Sequence, residues 1–260
     1  MRVLVTGGAS GLGEALVRRF VGRGDQVLVG DLAVPGTGVV ASPVVLTYRR
    51  LDVREQSDWD DAHDWVQQHW GGLDLLVNNA GIATGGRIDV ASLEEWQRVL
   101  DVNLLGVVRG CRTFTPMFKQ QRSGQIVNVA SLAGLVHGPG MASYNAAKAG
   151  VVALSETLHY ELGPWGVMTS VVCPAFFRTN LAGSLVGEDT AMIATAGRLI
   201  GKAEADADRI AGVVVAGIEA RRRLILTDRL GRRSYWTKRL ARPWYDRTLR
   251  DGAAKLARRG

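Results

Sequence analysis

A tyrosine and a lysine lie four residues apart in the segment YNAAK, residues 144 to 148. Side chains at this spacing stand on one face of a helix, so Lys148 is expected beside Tyr144. A phenol, with a pKa of about 10, is a poor proton acceptor at neutral pH. An ammonium about 4 Å away would stabilise the phenolate by about 4 kcal/mol and bring its pKa towards neutrality. The pair therefore predicts a tyrosine that exchanges a proton with an alcohol or a carbonyl.

A second polar group for the substrate oxygen is available at Ser131. It follows the apolar segment that ends in NVA and precedes Tyr144 by thirteen residues. A serine at a strand end is also a common turn residue, and a tyrosine and lysine at this spacing are commonly an exposed helical pair. The catalytic interpretation gains support from a glycine-rich segment near the start of the chain.

That segment is TGGASGLG, residues 6 to 13, and it lies between an apolar segment and a helical pattern. Its glycines, Gly7, Gly11 and Gly13, let the backbone approach a pyrophosphate, and the first amides of the helix point towards it. Taken alone, such a segment is also a tight structural turn. The strand-turn-helix context favours dinucleotide binding.

Asp31 follows this turn by about 20 residues and ends the second apolar segment. A carboxylate here can accept hydrogen bonds from the adenosine ribose hydroxyls. It would repel a 2′-phosphate about 5 Å away by about 3 kcal/mol, and Ser10 offers no cation to that phosphate. NAD is therefore preferred over NADP, unless Asp31 only caps a loop.

Elements of strand length and helix length alternate along the chain. Strands are predicted at residues 3–7, 26–31, 44–49, 73–79, 125–131, 166–174 and 222–228, and helices at 12–22, 56–70, 92–120, 142–162 and 206–220. The alternation predicts one α/β domain, in which a doubly wound parallel sheet of about seven strands has helices on both faces.

These motifs, in this order, closely resemble the short-chain dehydrogenase/reductase family over residues 1 to 228. The segments that carry the resemblance are TGGASGLG (6–13), LDV (51–53), NNAG (78–81), Asn103, Ser131 and YNAAK (144–148). The resemblance implies a Rossmann-like fold that binds NAD(P). It also implies that Tyr144 is the acid/base, that Ser131 polarises the substrate oxygen and that Lys148 holds the nicotinamide ribose. Asn103 would support a water that leads to Lys148.

The resemblance further implies a set of cofactor-binding residues. Asp52 and Val53 would flank the adenine, and the segment from Asn79 to Gly81 would line the cofactor. The full predicted set is Gly7, Ser10, Gly11, Leu12, Gly13, Asp31, Leu32, Asp52, Val53, Asn79, Ala80, Gly81, Tyr144, Lys148, Pro174, Ala175, Phe177 and Thr179. The sequence departs from the family at Ala175, where glycine is usual, and the added Cβ bears on the shape of the pocket.

The predicted function is hydride transfer between NAD(H) and a secondary alcohol or ketone of lipophilic character. Residues 132–143 and 176–205 are expected to determine the substrate, the second range either as a lid or as an ordinary surface excursion. The alternative is a non-catalytic redox sensor or scaffold that binds NAD and acts through its basic tail. A nucleotide-sugar epimerase or dehydratase is a third hypothesis, but 260 residues leave little room for the added substrate domain.

The net charge of +7 is concentrated at the end of the chain. Residues 221–260 contain fourteen Lys or Arg and three Asp, a balance of +11, so the first 220 residues carry −4. We therefore predict a catalytic domain at 1–228 and a basic extension at 229–260, in which Pro243 prevents one continuous helix. The extension either packs against its own body or a neighbouring subunit, or contacts an anionic membrane; nucleic acid has the least support.

Location and assembly follow from the same features. Cys111 and Cys173 have no partners at disulfide or ligand spacing, so neither a disulfide framework nor a metal site is expected. The first residues lack the layout of a signal peptide, which indicates a cytoplasmic enzyme, with peripheral contact at the inner membrane surface as the variant. A homodimer or homotetramer through the helices at 92–120 and 142–162 is implied by the resemblance.

Overall fold

Seven parallel strands form the central sheet in the computed structural model, which describes residues 1–33, 45–178 and 185–257. Their order across the sheet is β3-β2-β1-β4-β6-β7-β9. The strands are β1 (Arg2–Thr6), β2 (Gln26–Asp31), β3 (Leu46–Arg50), β4 (Leu75–Asn78), β6 (Gly124–Val129), β7 (Val167–Cys173) and β9 (Leu224–Leu226). The short strands β5 (Ala83–Thr84) and β8 (Leu185–Val186) pair with each other outside this sheet.

Helices follow most strands and cover both faces of the sheet. They are α1 (Gly11–Gly22), α2 (Gln56–Trp70), α3 (Leu93–Leu100), α4 (Gly106–Gln121), α5 (Ala142–Leu162), α6 (Thr190–Gly201), α7 (Ala207–Glu219), α8 (Arg229–Leu240) and α9 (Arg242–Ala257). Within the described ranges, no helix is long and apolar enough to cross a membrane.

Two hydrophobic cores lie on opposite faces of the sheet, because successive strand residues point to opposite sides. Leu4 of β1 joins the core with Trp59 of α2 and Phe114 of α4. The neighbouring Val5 joins the other core with Phe20 of α1. The predicted doubly wound α/β fold is confirmed, and all seven predicted strands are present. The third begins at Leu46, whereas the predicted start, Val44, lies outside the described residues.

Two predicted elements differ in detail. The helix predicted at 92–120 is divided into α3 and α4 by a π-helical segment, Asp101–Leu105. A widened turn of this kind is often found at functional sites, and Asn103 lies in it. The irregular range 176–205 contains β8 and α6, while residues 179–184 lie outside the part of the chain that the structure describes.

The basic extension forms the two helices α8 and α9. They meet at Ala241. Pro243 is the second residue of α9, a position at which the N–H group has no partner within the helix, so proline removes no helical hydrogen bond there. Asp228 caps α8 by accepting a hydrogen bond from the backbone N–H of Gly231 at 2.7 Å. Lys238 Nζ donates to the carbonyl oxygen of Leu135 at 2.6 Å and so joins α8 to the loop before α5.

Candidate active site

A cleft of about 880 Å³ lies at the carboxyl ends of the central strands. The strand order reverses between β1 and β4, and crevices at such a reversal are the usual ligand sites of open α/β sheets. The glycine turn lines the cleft at one end, and α8 and α9 line it at the other. Ser131, Tyr144, Lys148 and Asn103 all lie in its wall.

Local structure positions the serine and the tyrosine together. Ser131 follows β6 and caps a short 3₁₀ turn, where its Oγ accepts a hydrogen bond from the N–H of Ala133 at 3.1 Å. Tyr144 lies in the first turn of α5. The two hydroxyl groups lie close enough for Ser131 to offset part of the rise in the pKa of the phenol, so one substrate oxygen could reach both.

Tyr144 does not have the lowered pKa that the spacing of YNAAK predicts. Burial raises the pKa of its phenol, and the hydrogen bond with Ser131 offsets only part of that increase. Lys148 does lie beside Tyr144, but its Nζ is 5.8 Å from the centre of the ring. The prediction of a lowered pKa is therefore wrong for the chain alone, because desolvation raises the pKa of the phenol and the interaction that lowers it comes from Ser131 and not from the ammonium.

Burial also affects the pKa of Lys148, which is only 4% exposed. Its Nζ donates a hydrogen bond to the carbonyl oxygen of Val129 at 3.0 Å. Desolvation lowers the pKa of Lys148 to about 8. The lysine is therefore held at the floor of the cleft, in reach of a ligand, and its charge responds to the environment near neutral pH.

Asn103 is held at the floor of the cleft by the π-helical segment. Its Oδ1 accepts from the N–H of Ile82 and its Nδ2 donates to the carbonyl oxygen of the same residue, both at 3.0 Å. A Cβ on Gly81 would lie 2.8 Å from Asn103 Oδ1 and 3.5 Å from Lys148 Nζ. Only a glycine therefore fits between these two side chains.

The glycine turn is shaped to receive an anion. Gly7 and Gly11 have φ angles of +62° and +56°, which side chains with a Cβ rarely adopt. A Cβ on Gly13 would lie 2.0 Å from the carbonyl oxygen of Gly7, so α1 packs closely under the turn. Ser10 precedes α1 without capping it through its side chain. The first amides of α1 thus lack a side-chain acceptor, as expected of a pyrophosphate site.

Two carboxylates, Asp31 and Asp52, also lie in the wall of the cleft. Asp31 accepts hydrogen bonds from the N–H groups of Ala9 at 2.9 Å and Ala33 at 3.1 Å. Asp52 forms an ion pair with Arg54 at 2.6 Å, and this arginine lowers the pKa of the carboxyl. Asp31 has no such cation among the described residues, and its charge therefore faces the cleft without compensation.

Most of the predicted cofactor set lies along this one cleft. The residues of that set in its wall are Gly7, Ser10, Gly11, Leu12, Asp31, Leu32, Asp52, Val53, Asn79, Ala80, Gly81, Tyr144, Lys148, Pro174, Ala175 and Phe177. Gly13 lies beneath the turn and not in the wall, and Thr179 lies outside the described residues.

The sequence did not indicate that the basic extension lines the cleft. Its lining residues are Leu230, Arg233, Ser234, Thr237, Trp244, Tyr245, Thr248 and Leu249. On α8 the lining residues Leu230, Arg233, Ser234 and Thr237 have the spacing of one helical face, and this spacing is the signal that could have identified that face. His137, in the range 132–143 that was expected to determine the substrate, is not in the wall; its Nδ1 lies 3.2 Å from Lys238 Nζ.

The chain matches known proteins in sequence and in structure. The family model described as short chain dehydrogenase matches residues 1–190. A 3-alpha-(or 20-beta)-hydroxysteroid dehydrogenase from Mycobacterium tuberculosis is 38% identical over 180 residues, which cover 68% of this chain and 69% of that protein.

Two solved structures extend the comparison to the cofactor. A short-chain dehydrogenase/reductase from Burkholderia phymatum in complex with NAD has a TM-score of 0.80 and 30% identity, covering 86% of this chain and 88% of its own. A short-chain dehydrogenase from Sphingobium yanoikuyae in complex with NADPH has a TM-score of 0.73 and 27% identity. The match covers 86% of this chain and 87% of that chain. With the family model spanning most of its length, this chain belongs to the short-chain dehydrogenase family.

Proposed function

We propose that this NAD(P)-dependent oxidoreductase prefers NAD and interconverts a lipophilic secondary alcohol and the corresponding ketone. The observation that supports the chemistry best is that Ser131 and Tyr144 lie side by side in the wall of the cleft, where the serine offsets part of the rise in the pKa of the phenol. Two hydroxyl groups side by side can hold one substrate oxygen. A nicotinamide cofactor, when bound, supplies the hydride for reduction or accepts it in oxidation.

Each of the four residues would have a separate role in the reaction. Tyr144 gives its phenolic proton to the carbonyl oxygen during reduction and takes a proton from the alcohol during oxidation. Ser131 donates a hydrogen bond to the same oxygen and fixes its position. Lys148 provides positive charge behind the phenol, and Asn103 braces the floor of the cleft next to it. A raised pKa suits Tyr144 as the acid, since it stays protonated at neutral pH.

Asp31 supports the proposed preference for NAD. Its carboxylate lies at the end of β2, in the wall of the cleft, and no cation among the described residues neutralises it. It could accept hydrogen bonds from the ribose hydroxyls of NAD. A phosphate in place of one hydroxyl would meet repulsion of about 3 kcal/mol at about 5 Å.

The wall beyond Tyr144 supports a lipophilic substrate. Most side chains there are apolar and come from the loop before α5, from the segment after β7 and from α6. They include Leu132, Val136, Met141, Phe176, Leu185 and Ile200. Burying apolar surface against such a wall contributes about 25 cal/mol per Å² to binding.

We also propose a homodimer or homotetramer that associates through α4 and α5, and peripheral contact of the basic extension with a membrane. Exposed apolar residues support the first part: Leu105 is 37% exposed just before α4, and Tyr160 of α5 is 66% exposed. The arginine-rich sequence of α8 and α9 supports the second.

Steady-state kinetics with a panel of secondary alcohols tests the proposal. Each alcohol is offered with NAD and with NADP, and apolar members are matched to polar members of similar size. We expect higher kcat/KM with NAD and with the apolar alcohols. Equal or higher kcat/KM with NADP would contradict the cofactor preference, and faster turnover of polar alcohols would contradict the substrate class. A sensor or scaffold would bind NAD and turn over none of them.

A further inference from the structure

Large apolar side chains are exposed at the opening of the cleft and on α8, a helix that lines it. We define the mouth rim as Phe176, Leu230, Trp236, Leu240 and Trp244. Three of them, Phe176, Leu230 and Trp244, line the cleft and are also 47%, 68% and 55% exposed, so they lie where the cleft meets solvent. Trp236 and Leu240 do not line the cleft and are 52% and 79% exposed.

The two helices that supply most of the mouth rim are strongly basic. Residues 229–257 contain nine Lys or Arg and two Asp, a balance of +7. Arg229, Arg232, Arg233 and Arg247 are exposed and have no side-chain hydrogen bond or ion pair among the described residues. Their charge is therefore available to an anionic partner. Other basic side chains of the pair have contacts within the chain, such as Arg242 with Asp246 at 2.8 Å.

This combination of groups fits the surface of an anionic bilayer. Tryptophan and leucine side chains enter the boundary between headgroups and acyl chains, while arginines beside them attract anionic headgroups. Each arginine near such a surface contributes about 1 kcal/mol. A second copy of the same surface is a poor occupant, because a two-fold contact would place +7 against +7.

We propose that the mouth rim docks on an anionic membrane, so that the cleft opens towards the bilayer and takes a lipophilic substrate from it. The route of the substrate rests on the proposed function, but the docking does not. Most of this surface is formed by the folded helices α8 and α9 and not by a loose tail. Because these helices also line the cleft, docking would orient the opening of the cleft towards the lipid.

Vesicle flotation of the full-length chain tests the docking. Vesicles of phosphatidylcholine alone are compared with vesicles of phosphatidylcholine and phosphatidylglycerol in equal parts. We expect binding to the second kind only, and weaker binding at high salt because the arginine contribution is screened. Equal binding to both kinds, or binding to neither, overturns the proposal.

Three variants test which residues dock. The double variant Trp236→Glu/Leu240→Glu is expected to lower the partition coefficient at least about tenfold, since carboxylates replace the side chains that enter the lipid. The triple variant Arg229→Gln/Arg232→Gln/Arg247→Gln should lower it about a hundredfold. The matched control is Ile88→Glu/Leu93→Glu, which places carboxylates at residues that are 71% and 81% exposed and lie outside α8 and α9. A control loss as large as that of the rim variants overturns the proposal.

Activity separates this proposal from the proposed function. Trp236→Glu/Leu240→Glu should keep the turnover of a short, water-soluble alcohol and lose turnover of a lipophilic ketone delivered in anionic vesicles. If that delivered ketone is reduced at the wild-type rate, the proposed route is wrong. If wild-type chain floats with anionic vesicles but oxidises no alcohol, docking stands and the proposed function fails. Capture of an acidic carrier protein, with vesicle binding unchanged in both rim variants, would overturn docking on lipid.

Discussion

At the scale of single residues, the proposed chemistry depends on where the proton of Tyr144 resides. Burial raises the pKa of its phenol, so the group is protonated at neutral pH and is ready to act as an acid. The reverse reaction needs the phenolate. At a pH below the pKa of the phenol, the phenolate population grows about tenfold for each unit by which the pH rises. Lys148, with a pKa of about 8, remains largely charged at pH 7 and lies beside the ring of Tyr144.

This proton balance predicts opposite pH profiles for the two directions. Between about pH 6 and pH 8, where Lys148 keeps much of its charge, kcat for alcohol oxidation should rise, whereas kcat for ketone reduction should stay level or fall. Both profiles are measured by nicotinamide absorbance at saturating cofactor. An oxidation rate that falls steadily over this range would show that Tyr144 does not accept the proton.

The second prediction at the scale of single residues concerns Asp31 and the preference for NAD over NADP. Asp31→Asn removes the charge but keeps an oxygen that can accept from Ala9 or Ala33. The preference for NAD over NADP, measured as the ratio of kcat/KM values, should fall by as much as about a hundredfold, the equivalent of about 3 kcal/mol. An unchanged ratio would assign the preference to other residues.

At the scale of the elements, close packing between helices positions the site. α4 follows the π-helical segment that holds Asn103, and it packs on α2 next to the sheet. A Cβ on Gly110 of α4 would lie 2.3 Å from Asn78 Oδ1 and 2.6 Å from Trp59 Cη2. Glycine at this position is therefore required by the contact between α2, α4 and β4.

The stability of Gly110→Ala measures this contact. We expect the free energy of unfolding to fall by about 1–3 kcal/mol, because the added methyl group overpacks a buried interface. Gly22→Ala is the matched control: nothing lies within 4 Å of its added Cβ, and helix propensity predicts a gain of up to about 1 kcal/mol. Urea unfolding of both variants compares them. Equal stabilities would mean that α2 and α4 are not in close contact.

At the scale of the whole molecule, the sequence predicted the sheet well because its strands are short apolar segments that end in turn residues. The YNAAK spacing likewise predicted that Tyr144 and Lys148 are neighbours. Single-residue patterns could not predict that desolvation dominates the pKa of Tyr144, since burial depends on every element around the cleft. The π-helical turn and the folding of α8 over the cleft were missed for the same reason: both depend on contacts between distant segments.

Cofactor binding provides a test at this scale that does not require turnover. A ligand that binds only the folded chain raises its melting temperature with concentration. NAD should raise the Tm of the wild-type chain more than NADP does, and Asp31→Asn should reduce the difference. No shift with either dinucleotide, at concentrations well above those used in turnover assays, would contradict the assignment of the cleft.

The most direct test of the account is the turnover of Tyr144→Phe with NAD and an apolar secondary alcohol. Tyr160→Phe is its control, because Tyr160 lies outside the cleft and accepts a hydrogen bond from Arg223 at 2.8 Å. We predict that Tyr144→Phe lowers kcat by about 10²–10⁴-fold while NAD still raises its Tm, and that Tyr160→Phe retains wild-type kcat. Turnover of Tyr144→Phe at the wild-type rate would contradict the account.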